Sequence, residues 1–230
     1  SHMQAFYKTH SAGFHTVEPK KVWAEYTSTY YIMDPYSRQF HRSYSESLKT
    51  YHSELSDLFA SVMEKVEGLY SNWFLGQLGN NWSDACADNL REYGRILEVP
   101  QQTDFYRSKI SSSDSRVYVI ISDAMRYEVA VALAEQLRRE TQSKVEVSSM
   151  QGIFPTITKF GMAALLPHKE LSVELKSGKT ERLAVLADGQ STEANNRDKL
   201  LKNANAKSVA LKYKDIIGMK RADRQALVKG

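Results

Sequence analysis

The chain has 230 residues, 42% of them apolar and 25% charged, which supports one or two domains with a proper core. No apolar run approaches the roughly 18 residues that a membrane helix needs, and no signal peptide is visible, so a soluble protein with no membrane partner is expected. The single cysteine, Cys86, excludes an internal disulfide and a cysteine-based zinc cluster, and fits the cytoplasm.

Residues 1–3, Ser1-His2-Met3, read as a remnant of tag removal, and the native chain is expected to continue upstream. From 4 to 112 the pattern is helical. A helix is predicted over Lys20–Tyr31, stopped ahead of Asp34-Pro35. Leu48, Tyr51, Leu55, Leu58, Val62, Val66, Leu69 and Trp73 recur at spacings of three and four. That is one face of a long amphipathic helix, with Ser45 and Ser47 as candidate N-caps. A further helix is predicted from about Ser83 to Leu97, stopped by Pro100, with Cys86 as a small core residue. Ten tyrosines fall in 1–112 and read as packed rings with hydroxyls reaching the surface. The polar stretch SKISSSDS, residues 108–115, is the predicted linker between a helical region, 4–112, and a second part, 113–230.

Beyond the linker the period changes. Val117–Ser122 is apolar on both faces and rich in β-branched residues, as a central parallel strand should be. A helix follows over Arg126–Thr141, with Val129, Ala132, Leu133 and Leu137 on its inner face. Lys144–Ser148 alternates like a strand, and Thr158–Leu166 reads as a short helix. Leu171–Leu175 and Leu183–Leu186 are strand candidates joined by a Ser177-Gly178 turn. Lys199–Lys207 and Tyr213–Val228 are helical or irregular. The alternation predicts an α/β fold: a helical region followed by a mostly parallel sheet with flanking helices. Ten basic and three acidic residues crowd into 196–230. Such an end fits nucleic acid, a solvated helix face, or a face packed on another part of the protein. Its one aromatic, Tyr213, makes a base-stacking platform unexpected.

Two positions carry chemistry. Ligands of open α/β sheets bind beyond the carboxyl ends of strands, where Asp123 stands. A carboxylate there either binds a metal ion or caps the next helix. In GIFPTITKFGMAALLP, residues 152–167, Pro155 shapes the entry and Thr156 or Thr158 opens a helix. A hydroxyl at a helix start is favoured as an alkoxide and lies where phosphate binds; the alternative is an ordinary capping threonine. Arg126 and Lys159 are near enough in sequence to meet phosphate oxygens.

VYVIISDAMRYEVA, followed about thirty residues later by FPTITKFGMAALLP, resembles the PglZ domain of the alkaline phosphatase superfamily, known from BREX phage-defence systems. The helical segment ahead of it is similar to the type A form, and the resemblance covers mainly 113–170. It implies the front part of an alkaline-phosphatase-like core, with Asp123 as the first metal-ligand aspartate. It implies Thr158 as a nucleophile that also touches the metal, while Thr156 is structural. The implied reaction is metal-dependent hydrolysis at phosphorus, with a zinc or similar metal pair holding the attacking and leaving oxygens. The substrate would be a phosphoester, with nucleic acid or a nucleotide as candidates, and the partners other components of the defence complex.

The family pattern needs roughly four further ligands, and this sequence has no H…D or D…GDH-type segment. His10, His15, His41 and His52 fall in the helical half, and His168 is expected to be exposed with no carboxylate partner. The chain is therefore expected to be a piece whose remaining ligands lie downstream, binding no metal of its own and lacking useful phosphatase activity. The alternative function is a non-catalytic scaffold whose helical half binds partner proteins.

Overall fold

The computed structural model describes residues 2–49, 55–177 and 182–229. The chain forms two compact units that interleave in sequence. The first comprises Ser1–Val99 and Ser122–Ser149; the second comprises Pro100–Ile121 and Met150–Gly230. The chain crosses between them three times, and no crossing coincides with the expected boundary at 112/113.

The first unit is helical. Its elements are α1 (His2–Thr9), α2 (Pro19–Ser28), a 3-10 turn (Tyr30–Ile32), α3 (Met33–Ser47), α4 (Ser56–Glu67), a π-helical stretch (Gly68–Leu75), α5 (Gly76–Tyr93) and α6 (Tyr127–Glu140). Pro19 opens α2, where its missing N–H costs nothing. Gly94 ends α5 at φ 64, a left-handed cap that glycine adopts without strain. The core gathers Met3, Phe14, Val22, Met33, Tyr70, Phe74 and Leu78, with Phe6, Tyr30 and Trp73 packed against it. Phe74 and Met33 are fully buried, and four aromatic rings surround Phe74: Phe6, Phe14, Tyr70 and Trp73. Tyr26, Tyr30, Tyr36 and Tyr70 are packed rings as expected, Tyr7 and Tyr93 are exposed, and the Tyr26 and Tyr70 hydroxyls bond the buried Asp34 rather than reaching the surface. Cys86 is buried beside Ile96 and Val99, and burial pushes its thiol up to about 11, which keeps it protonated and inert.

Two helical expectations change. The apolar repeat from Leu48 to Trp73 is not one helix: α3 closes at Ser47 and α4 opens at Ser56, while Tyr51 and His52 lie outside the described residues. Ser45 and Ser47 sit in the last turn of α3, so they cap no helix start. Only the end of the stripe is buried. Val66, Leu69 and Trp73 pack on the core, whereas Leu55, Leu58 and Val62 are exposed.

The second unit carries the sheet. Strand β1 (Leu171–Lys176) pairs antiparallel with β2 (Arg182–Ala187), and β2 pairs antiparallel with β3 (Gln190–Ser191). Leu171 faces Ala187 and Val173 faces Val185 in this register. Helix α7 (Thr158–Ala164) packs Phe160 and Ala163 on Val185, and α8 (Arg197–Ala204) packs Leu200 on Ala187 and Leu166. Short helices α9 (Tyr213–Gly218) and α10 (Arg221–Lys229) follow.

The mixed α/β class holds, but the expected mostly parallel sheet is corrected: among the described residues the sheet is small and antiparallel. Residues 117–121 and 144–148 lie in no helix and in no ladder. A strand apolar on both faces needs neighbouring strands for its backbone and cover for both faces. The described residues supply neither, and Ile120 is 92% exposed. The same lack explains α6. Leu133 and Leu137, expected on its inner face, are exposed, and the buried residues are Glu128 and Ala134.

Candidate functional site

Asp123 lies in a turn after the irregular stretch 117–121 and is exposed. Its Oδ1 accepts the N–H of Ala124 at 3.0 Å, and Ala124 stands at φ 58, a left-handed conformation uncommon outside glycine. Arg126, not Asp123, is the N-cap of α6, and no side chain caps that helix. Helix capping is thereby removed as the explanation of the carboxylate.

Arg126 is anchored. It donates through Nη2 to the Tyr70 hydroxyl at 2.8 Å, and the same nitrogen lies 3.3 Å from Asp34 Oδ1. Asp34 is buried and accepts two further hydrogen bonds, from Tyr26 and Tyr70, both at 2.7 Å. Two residues beyond Arg126, the fully buried Glu128 carboxylate takes Arg38 as a two-pronged partner, 2.8 Å on each prong. Arg126 is thus committed to Asp34 rather than to Glu128 or to solvent alone. Nothing in the sequence points to Asp34 except its place beside Pro35, which reads only as a helix stop.

These contacts shift the tyrosines. Burial first, then the hydrogen bond to Asp34, pushes Tyr70 up to about 12, and the same causes raise Tyr26. A phenol whose folded value lies above its unfolded value of about 10 contributes stability below pH 10 that is lost as pH rises toward 12. Urea unfolding is therefore expected to weaken between pH 10 and 12, and Tyr70→Phe is expected to flatten that fall. An unchanged slope in the variant contradicts the assignment.

Thr158 is the first residue of α7, exposed, with Ile157 as the N-cap and no side-chain cap. The segment before it is held by Gln102, which donates to the Gly161 carbonyl at 3.2 Å and accepts the N–H of Ile153 at 3.1 Å. Lys159 donates to the Leu183 carbonyl at 2.7 Å and lies 3.5 Å from Glu193, so its ammonium ties α7 to the sheet rather than standing open for phosphate.

His168 is half-buried, contrary to the exposed loop position expected, because its Nδ1 bonds the Leu166 carbonyl at 2.6 Å. It lines a groove of about 750 Å³ with Asp188, Lys169 and Arg107. Asp188, at φ 48, accepts the N–H groups of Lys169 and Glu170. Those bonds, Glu170's first, together with the nearby His168, hold its carboxyl below the usual range. The Ala-Asp-Gly turn is the only sequence signal for it.

Asp123 belongs to the first unit and Thr158 to the second. Asp123 offers one exposed carboxylate to a metal. The other positions of a two-metal site are not met: among the described residues no three His, Cys, Asp or Glu come together.

Comparison with known proteins decides the family. The model of the BREX system PglZ alkaline phosphatase-like domain matches residues 105–230, more than half of the chain. The chain belongs to the PglZ family. The PglZ match spans both Asp123 and Thr158. The chain is 35% identical over 227 residues to the alkaline phosphatase-like protein BrxZ of Escherichia coli, covering 96% of this chain and 25% of that protein. It is 32% identical over 207 residues to the alkaline phosphatase-like protein PglZ of Bacillus cereus, covering 89% of this chain and 23% of that protein. The chain therefore spans about a quarter of the length of these relatives, and the likeness takes in the helical first unit as well as the PglZ match. No solved structure matches it. No described helix is long and apolar enough to cross a membrane.

Proposed function

We propose that the protein is part of a BREX-type phage-defence phosphoester hydrolase of the cytoplasm, in which Asp123 is a metal ligand and Thr158 the nucleophile toward phosphorus. The observation that carries this reading is the PglZ match over both residues, joined to their exposure. A divalent metal, zinc first, is the cofactor proposed for the whole protein, and other defence-system proteins are its proposed partners. Nucleic acid or a nucleotide suits the basic C-terminal stretch, where Lys202, paired with Asp198, is the one basic residue in an ion pair among the described residues of 196–227. In assays of the full-length protein with zinc or manganese, turnover of a nitrophenyl phosphodiester that Asp123→Ala abolishes supports the reading. Turnover untouched by Asp123→Ala overturns it.

The 230-residue chain alone is a different matter. With no three-ligand cluster among its described residues, it is proposed to bind divalent metal weakly and to be inactive. Calorimetric titration with zinc or manganese is expected to show affinity weaker than about micromolar, because a site short of ligands forfeits most of its binding energy. Sub-micromolar affinity together with phosphodiester turnover contradicts it.

A scaffold role is the second reading. The relatives' likeness reaches across the helical unit, and Leu55, Leu58 and Val62 of that unit are exposed, as a protein-binding face requires.

A further inference from the structure

We propose that β1 is a self-association edge, along which a second copy of the protein adds its own β1, antiparallel, across a twofold axis. The sheet order is β1-β2-β3, so β1 is an open edge among the described residues, and the opposite end is only the two-residue β3. The Glu170 carbonyl accepts the Asp188 N–H at 3.0 Å, and on the far side of β2 the Val185 carbonyl accepts the Thr192 N–H at 3.2 Å. Alternation along the ladder then turns the N–H and C=O groups of Ser172, Glu174 and Lys176 toward β2, and those of Leu171, Val173 and Leu175 outward. Val173 and Leu175 are 52% and 56% exposed, on the face that carries the buried Val185. A six-residue edge with outward backbone groups, exposed apolar side chains and no proline is a template for another strand.

The sequence of the strand selects its own copy as the occupant. Centred on Val173, self-pairing sets Val173 against its counterpart, Leu171 against Leu175, Ser172 against Glu174, and the exposed Glu170 against the exposed Lys176. The apolar face continues across the axis, and the Glu170–Lys176 pair forms twice. Centred on Glu174, the pairing sets that carboxylate against itself; centred on Ser172, it sets Glu170 against Glu174. Like charges directly opposite destabilise a sheet. Centred on Leu171 or Leu175, the pairing soon runs past the end of the strand. The Val173 register alone keeps the pairing within the strand and matches its charges. The joined sheet ends on a short β3 at each side, so growth stops at a pair.

Sedimentation velocity of the full-length protein is expected to show a dimer. Lys176→Glu turns both Glu170 pairs repulsive and is expected to weaken the dimer about tenfold or more, while Glu170→Lys combined with Lys176→Glu is expected to restore it. Recovery in the double variant excludes lost folding as the cause. In the 230-residue chain the one cysteine, Cys86, is buried, so an added thiol reports alone. Val173→Cys is expected to give a disulfide-linked dimer under mild oxidation, because a hydrogen-bonded antiparallel pair stands about 5.5 Å apart, within disulfide reach. Leu175→Cys, about 15 Å from its counterpart in this register, is expected to stay unlinked. A monomeric full-length protein overturns the proposal, since another segment then fills the edge. A dimer unmoved by Lys176→Glu overturns it too, as does linkage through Leu175→Cys in place of Val173→Cys.

Discussion

Asp34→Ala is expected to destabilise the first unit by about 2–3 kcal/mol. The Asp34 side chain is only 4% exposed and serves three donors at once: Tyr26, Tyr70 and Arg126. Removing it takes the acceptor from the buried Tyr70 hydroxyl and the half-buried Tyr26 hydroxyl, each losing a charge-assisted hydrogen bond worth roughly 1.5 kcal/mol. The full 3–5 kcal/mol of a broken buried ion pair is not expected, because Arg126 is 52% exposed and regains water. Asp34→Asn keeps shape and some acceptor capacity and should cost about half as much. Trp23, Trp73 and Trp82 all lie in the first unit, so tryptophan fluorescence in urea follows that unit by itself. A midpoint unmoved by Asp34→Ala would mean that the carboxylate is solvated and that the network carries no stability.

That network marks where sequence reasoning ends. Asp34-Pro35 read as a helix stop but lies in the first turn of α3, whereas helix α6, the start of α7 and the β1–β2 pair were all legible, because each depends on residues within a few positions. The role of Asp34 was not, since its partner Tyr70 is 36 residues away and joins it only through packing. Arg126 read as a candidate for phosphate, and its tie to Asp34 had no local signal. The long helix over Leu48–Trp73 failed because spacings of three and four mark neither the end of α3 at Ser47 nor the start of α4 at Ser56. Val117–Ser122 has the composition of a central strand, yet residues 117–121 are exposed. Composition specifies what a strand is fit for, whereas a ladder also needs neighbours. Asp123 and Thr158 were singled out through the family resemblance; the structure puts Arg126 rather than Asp123 at the N-cap of α6 and makes Thr158 the first residue of α7.

Thr158→Ala in the full-length protein is expected to lower phosphoester hydrolysis about a thousandfold or more, the scale of losing a nucleophile. Thr158→Ser keeps the hydroxyl and should retain activity, whereas Thr156→Ala should stay near wild type, its side chain lying instead against Gly152. The chain's quarter-share of its relatives' length makes the whole protein the proper subject of the test. Phage restriction in cells carrying the complete defence system, scored together with recovery of the assembled complex, separates catalysis from scaffolding. Restriction lost in Thr158→Ala with the complex intact is the predicted result; full restriction in that variant would contradict a hydrolytic role and leave the scaffold.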